Sequence, residues 1–322
     1  MNETTRQHIA AGVQHHLAGD LEQAAAAYRA ALQSDPGSAT AHNNLGFVLG
    51  QARQWQAARE HLQQALQLKP DMAMAHSNLG QVLVACGETT QGLQHLQCAT
   101  ELEAQNLQAW ENLSRMTLQL GDAQSAETAC REACDLAPRE ARLFTRLGTA
   151  LSTQGHHDEA VVAHQQATEL APGDADAWGQ LGVSLFLRQD LGSARKALGK
   201  ALAADPNHYI ALRHLALVQT ATGDKPAAIA SLQRLLQHHP QASDARLDLA
   251  VLLLSAGQAT EACPLLESLY ESHPEDERTR FYLALGLRDN GDRARGDALL
   301  QELAKQPSKY GAQAQQLLGL MH

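Results

Sequence analysis

Apolar residues recur along the chain in two helical registers that return together every 34 residues. Number each unit from 1 to 34, beginning at Thr5. Positions 4, 7, 8 and 11 then follow the i, i+3, i+4, i+7 rule and mark one face of a first amphipathic helix. Positions 20, 24 and 27 mark one face of a second helix. Position 7 is Leu45, Leu79, Leu113, Leu147, Leu181, Leu215, Leu249 and Leu283, with Ala11 in the first unit. Positions 8 and 20 are small throughout, as in Gly46 with Ala58, Gly80 with Gly92 and Gly148 with Ala160, so the two helices approach closely. Position 15 is usually glycine (Gly19, Gly87, Gly121, Gly155, Gly223, Gly257, Gly291), which ends the first helix in a left-handed turn. Proline at position 32 (Pro36, Pro70, Pro138, Pro172, Pro206, Pro240, Pro274) stops the second. A long coiled coil is excluded, because glycine and proline would break it in almost every unit.

The frame gives nine tandem units: 5–38, 39–72, 73–106, 107–140, 141–174, 175–208, 209–242, 243–276 and 277–310. The pattern resembles the tetratricopeptide repeat, W-x2-L-G-x2-Y followed by A-x3-F and P. Trp110 and Trp178 occupy the tryptophan position, Leu181-Gly182 follows the second at the right spacing, and Ala24, Tyr28 and Pro36 supply the later element. His8, His42 and His76 replace tryptophan elsewhere. The resemblance implies an all-α, right-handed superhelical solenoid of helix–turn–helix repeats, with the first helices lining its concave side.

A stacked array needs a polar cover at its ends. Residues 311–322 are expected to form a C-terminal capping helix with Leu317, Leu318 and Met321 on its core face. Position 27 changes from alanine (Ala31 through Ala201) to leucine (Leu235, Leu269, Leu303), which predicts altered curvature after about residue 208. Pro264 should loosen the first turn of its helix.

Composition narrows the function. Hydrophobic residues make up 44% and aromatics 4%, so the core must be built from Leu and Ala. A net charge of −10 repels phosphate and argues against nucleic acid as a partner. Five cysteines (Cys86, Cys98, Cys130, Cys134, Cys263) without a paired framework suit a reducing compartment. Met1–Ala11 is polar, and no apolar run approaches the ~18 residues of a membrane span. These features lead to the expectation of a cytoplasmic protein that does not insert into membranes.

Positions 2, 6, 9 and 13 point roughly opposite the core and are the candidates for ligand contact. Position 6 carries Asn44, Asn78 and Asn112 in successive units, and an amide can both donate to and accept from a peptide backbone. Neighbouring first helices about 10 Å apart match about three residues of extended peptide. This series resembles the asparagine ladder of O-linked N-acetylglucosamine transferases. Arg142 and Arg146 lie one turn apart at positions 2 and 6, near Asn112 and Arg115, and could hold a carboxylate. That group resembles the carboxylate clamp of chaperone-binding tetratricopeptide domains, except that Ser77 and Gln81 stand where the clamp has Lys and Asn. Phe47 belongs to the same wall. Farther along, Val183, Phe186, Ile210, Leu217, Leu247, Val251, Phe281 and Leu285 make this face apolar, and exposed apolar patches usually mark contact with another protein.

No catalytic constellation accompanies this groove. The sixteen histidines include no pair four apart on a helix and no H-E-x-x-H, so no metal ligand set is expected. Cys130 and Cys134 read as buried thiols, and Gly192 to Lys200 is repeat helix rather than a phosphate loop. No cofactor is implied. The sequence therefore points to a non-catalytic scaffold that binds an extended or amphipathic segment of a protein partner, including an acidic one, in its groove. Two alternatives stay open. One is an accessory subunit recruiting substrate for a separately encoded enzyme or secretion complex, such as a glycosyltransferase; the other is a self-assembling homo-oligomer.

Overall fold

The computed structural model describes residues 2–319, and those residues form nineteen α-helices and no strand. In chain order they are α1 (Glu3–Leu17), α2 (Leu21–Ser34), α3 (Ala39–Gln51), α4 (Trp55–Leu68), α5 (Ala73–Ala85), α6 (Thr89–Leu102), α7 (Leu107–Gln119), α8 (Ala123–Leu136), α9 (Ala141–Thr153) and α10 (His157–Leu170). There follow α11 (Ala175–Leu187), α12 (Leu191–Ala204), α13 (Tyr209–Ala221), α14 (Lys225–His238), α15 (Ser243–Ser255), α16 (Ala259–Ser272), α17 (Glu277–Asp289), α18 (Arg293–Leu303) and α19 (Lys309–Leu317). The architecture is an all-α helical repeat solenoid. The odd-numbered helices from α3 to α17 begin 34 residues apart, and each odd-numbered helix from α1 to α17 packs against the even-numbered helix that follows it.

Local chemistry sets the helix ends. Asp20, Asp122, Asp190, Asp224 and Asp292 each accept the backbone N–H three residues on and so cap a second helix. The turn before them is left-handed at position 15, with Gly19 at φ 81° and Gly121 at φ 77°. In the two units that lack glycine there, Arg53 (φ 57°) and Gln189 (φ 67°) adopt the same conformation under strain. Helix α16 runs on through Pro264 to Ser272.

Position 4 has a role that explains its tolerance for different residues. Trp110 and Trp178 donate their indole N–H to the carbonyl six residues earlier, Ala104 and Pro172, each at 2.8 Å. His42 Nε2 reaches the Pro36 carbonyl at 3.2 Å, and His76 Nε2 reaches that of Pro70 at 2.9 Å. Arg246 and Arg280 do the same with Pro240 and Pro274. In these six repeats a side-chain N–H reaches back to the preceding turn, whichever residue carries it, while Phe144 and Leu212 at the same position pack into the core instead.

The helices divide into two compact units, one ending at Leu170 and one beginning at Ala171. The division falls one repeat before the Ala-to-Leu change near residue 208. In the first unit the core is a column of fully buried leucines, including Leu45, Leu62, Leu79, Leu96 and Leu143; in the second it includes Leu198, Leu212, Leu235 and Leu266. Each such side chain contributes about 1.5–3 kcal/mol by leaving water, so the leucine column outweighs any surface polar contact. Close approach at positions 8 and 20 is marked between α5 and α6, where a Cβ added to Gly80 would lie 2.7 Å from the Gly92 carbonyl oxygen, and between α17 and α18, where one added to Gly296 would lie 2.7 Å from that of Ala284.

The last helix departs from expectation. It starts at Lys309 behind a Ser308 cap, and its buried face is Gly311 and Ala314. Leu317 is 45% exposed and Leu318 only partly covered, while Met321 lies outside the described residues. Small residues suffice because Tyr310 does the covering, with its ring 5.4 Å from that of Phe281.

Candidate functional site

In the first unit α3, α5 and α7 lie side by side and bring Asn44, Asn78 and Asn112 onto one wall. These amides do not stand free. Asn78 donates to Asn43 Oδ1 at 3.0 Å, and Asn112 donates to Ser77 Oγ at 2.8 Å. Asn43 in turn donates to Asn44 Oδ1 at 3.1 Å, and the Tyr28 hydroxyl also bonds Asn44, although burial is what chiefly pushes that phenol's pKa up. Position 5 of one repeat thus meets position 6 of the next. Asn112 is buried, and its oxygen also accepts from Gln108 and Arg115, so it serves to position its neighbours rather than to meet a ligand. Asn78 keeps its carbonyl oxygen and second N–H available in the groove.

Two hollows open along this wall. One, of about 540 Å³, is lined by Asn43, Asn44, Phe47, Met74, Ser77, Asn78 and Gln81 among others. The other, about 310 Å³, sets the apolar Phe47, Trp55, Val82 and Met116 beside Gln81 and Arg115. They share Phe47, Gln51, Asn78 and Gln81, and so form one continuous groove with an amide-rich stretch and an apolar stretch.

The four-residue cationic group is split by the fold. Arg142 bonds Glu111, a side chain only 9% exposed, and also Glu140 at 3.2 Å. Its charge is spent within the chain, and it leaves the candidate clamp. Arg115 donates to Gln81 Oε1 at 2.7 Å and to Asn112 Oδ1 at 3.3 Å, and no described carboxylate forms an ion pair with it. Burial, and after it the positive charge of Arg146, holds the Arg115 pKa below the usual guanidinium value, with Glu111 opposing. Among the described residues Arg146 bonds only Ser114 Oγ, at 3.5 Å. Arg115 and Arg146 therefore form a half-buried pair of cations held by neutral groups, an arrangement that favours an added carboxylate.

The second unit carries a different face. Arg213 bridges Asp244 at 2.6 Å and Asp248 at 3.1 Å, Arg278 joins Asp248 at 3.4 Å, and the Tyr209 hydroxyl donates to Asp244. Burial first, then the bond to Asp244, pushes the Tyr209 pKa up to about 12. Leu217 lines a hollow of about 260 Å³ with Val251 and Leu252, and half-buried Phe186 stands edge-on to His214 with ring centroids 6.4 Å apart. Leu247 and Phe281 are not on the open face: each is 7% exposed, Leu247 within the leucine core and Phe281 beneath Tyr310. They occupy position 5, which points toward the next repeat.

Position 5 was the residue set invisible to reading each helix alone. Asn43, Ser77, Glu111 and Arg213 all occupy it, and their partners mostly lie 35 residues on, one repeat plus one. A search for polar pairs at that spacing would have found them. Trp55, at the start of α4, is a further lining residue that the first-helix pattern omits.

Cys130 and Cys134 are buried thiols. Burial pushes Cys130 up to about 11 and Cys134 up to about 12. Among the described residues no three His, Cys, Asp or Glu side chains converge as a metal site, and no helix is long and apolar enough to cross a membrane.

Comparison with known proteins bears on this arrangement. Sequence models of the tetratricopeptide repeat match residues 38–69, 78–141, 145–209, 188–236 and 220–278, and a TPR repeat model matches 12–52 and 54–87. No curated protein matches the chain. Among solved structures it is similar to YrrB, described as a TPR protein with an unusual peptide-binding site. The two share 24% identity over 58% of this chain and 97% of that one, with a TM-score of 0.52. The Cut9–Hcn1 hetero-tetramer of APC/C aligns at 16% identity over 83% of this chain and 52% of that one, with a TM-score of 0.59. A tetratricopeptide repeat protein from Parabacteroides merdae aligns at 15% over 78% of this chain and its own full length, with a TM-score of 0.57. At these identities the likeness is one of fold. With family matches running from residue 12 to residue 278, this chain belongs to the tetratricopeptide repeat family, a fold built for protein–protein interaction.

Proposed function

We propose that the groove across α3, α5 and α7 binds an extended segment of a partner protein that carries an acidic residue, and that the chain performs no chemistry on it. The observation that carries this reading is the Arg115–Arg146 pair, half-buried and bonded, among the described residues, only to neutral groups, at the end of an amide-lined wall. Asn78 and Gln81 supply bonds for a peptide backbone, and the cations supply the preference for an acid. The apolar stretch at Phe47, Trp55 and Met116 accepts a side chain of the same segment.

The test is a displayed library of random peptides selected against the whole chain, with dissociation constants then measured by fluorescence anisotropy. Asn78→Ala should weaken the selected peptides about fivefold, the worth of one neutral hydrogen bond. Arg115→Ala and Arg146→Ala should each weaken acidic peptides roughly tenfold or more. Selected peptides that bind all three variants as tightly as the parent protein would remove the groove from consideration.

A further inference from the structure

The histidines at position 4 do more than replace tryptophan. In α3 and α4, His42 Nδ1 lies 3.0 Å from His61 Nδ1; in α5 and α6, His76 Nδ1 lies 2.8 Å from His95 Nδ1. The same dyad is thus built twice, 34 residues apart, directly behind the helices that carry Asn44 and Asn78. Ring centroids 5.2 and 5.0 Å apart place the nitrogens nearly head-on. That geometry holds one hydrogen between two lone-pair positions.

The proton arrangement follows from the partners. His42 Nε2 faces the Pro36 carbonyl and His76 Nε2 faces that of Pro70, so both must carry hydrogen there. Their Nδ1 atoms are then acceptors, and the hydrogen between the rings belongs to His61 and His95. A closed dyad has one vacant nitrogen left, Nε2 of His61 or His95. A first added proton can settle there. A second would have to enter at His42 or His76 Nδ1, against an N–H already pointing at it and beside a second positive ring. The closed dyad therefore takes up one proton fewer than two separated histidines.

We propose that the two dyads form an acid-operated latch between the first and second helices of repeats two and three. At neutral pH each shared hydrogen ties α3 to α4 or α5 to α6, and acidification opens both ties. The sign follows from proton counting: because the open form binds more protons, the latch is fully closed above the ordinary histidine range near pH 6.5 and is lost as pH falls below it. With a deficit of one proton per dyad, the opening constant rises by up to about a hundredfold per pH unit when both open together. The neighbouring charges do not restore the balance. Arg29 of α2 opposes protonation of His61, and Glu60 of α4 favours it more weakly than Arg29 opposes it. On His95 the acting neighbour is His76, whose Nε2 also lies 3.7 Å from Cys98 of α6, beside Glu101. No described carboxylate pairs with any of the four rings. Release of a bound segment on acidification would follow, a consequence that rests on the groove reading; the latch does not.

The experiment uses the whole chain with ¹⁵N-labelled histidine and no ligand, so its outcome is independent of whether the groove binds peptides. Long-range ¹H–¹⁵N correlation at about pH 7.5 should show His42 and His76 protonated at Nε2, and His61 and His95 at Nδ1. Amide hydrogen exchange, corrected for intrinsic rates, should then lose protection in α3–α6 between about pH 7.5 and about pH 5. In the double variant His61→Asn/His95→Asn the Asn amide keeps the donor but has no titratable nitrogen, so the loss in α3–α6 should shrink to the smaller one that buried His164 imposes on the whole first unit. The reverse tautomers, or an equal loss in parent and variant, would overturn the proposal. Should the variant fold poorly, His42→Gln/His76→Gln keeps the tie to the proline carbonyls and serves the same comparison, and the tautomer measurement on the parent stands by itself.

Discussion

Replacing Gly80 with alanine adds one methyl group where the backbones of paired helices in the first unit come very close. Its Cβ would sit 2.7 Å from the Gly92 carbonyl oxygen, 2.7 Å from Leu96 Cγ and 3.1 Å from the Leu96 amide nitrogen. Ordinary contact begins at 3.4 Å, so α5 and α6 must part by 0.7 Å (3.4 less 2.7) at that point. The obstacle is mostly backbone, which no rotamer change can move aside, and separation also unpacks Leu96, which is fully buried. Overpacking of this kind costs about 1–3 kcal/mol, and the ~1 kcal/mol gained from replacing a helical glycine with alanine offsets only part of it. Gly50→Ala is the matched control. Its Cβ would meet the Val82 Cγ2 methyl at 3.3 Å and Ala58 Cβ at 4.0 Å, with no backbone in the way, so a shift of about 0.1 Å suffices and the helical gain should leave it neutral or slightly stabilised. Urea unfolding followed by circular dichroism would compare the two. A Gly80→Ala midpoint equal to or above that of Gly50→Ala would refute the claim that positions 8 and 20 are small because the helix backbones touch.

Three further outcomes follow from other sites. Arg53→Gly and Gln189→Gly relieve left-handed strain of ~1–2 kcal/mol against a glycine entropy cost of ~0.5–1, so each should raise the melting temperature by a degree or more; a fall would contradict it. His164 is 1% exposed and bonded to the Thr145 carbonyl, and burial lowers its pKa to about 4, against 6.5 when exposed. It stays neutral in the fold while the unfolded chain takes up a proton. Stability of the first unit should therefore be complete above about pH 6.5 and decline by about 3 kcal/mol towards pH 4, and His164→Gln should flatten that part of the denaturation profile. Phe281→Ala removes the ring on which Tyr310 rests, so α19 should exchange its amides much faster while α13 and α14 are unaffected; equal protection would show that Tyr310 does not anchor the helix.

The repeat frame was legible because it depends on residues whose physical demands are strict. Leucine at position 7, small residues at 8 and 20 and a left-handed residue at 15 each satisfy a requirement within one helix pair, and one helix pair is what periodicity describes. The site was only partly legible. Asn44, Asn78 and Arg115 reach the groove as their helical phase predicts, but phase could not show that Arg142 would turn to Glu111 or that Asn112 would be enclosed by Ser77, Gln108 and Arg115. Those outcomes depend on position 5 of a neighbouring repeat, a relation between helices rather than along one. The same reason hid Leu247 and Phe281, which looked exposed on their own helices and are covered by the next element.

The bonds that run 35 residues forward, Asn43 to Asn78, Ser77 to Asn112 and Arg213 to Asp248, restrict how such a chain can change. Its cores are nearly interchangeable, yet the stitches between them are not. Moving the fourth repeat in front of the third would set Glu111 against Asn78 and leave Ser77 facing Arg146, a carboxylate without its cation and a hydroxyl opposite a guanidinium instead of an amide. A protein assembled from like parts has in this way acquired a fixed order of parts, written in the side chains that join them.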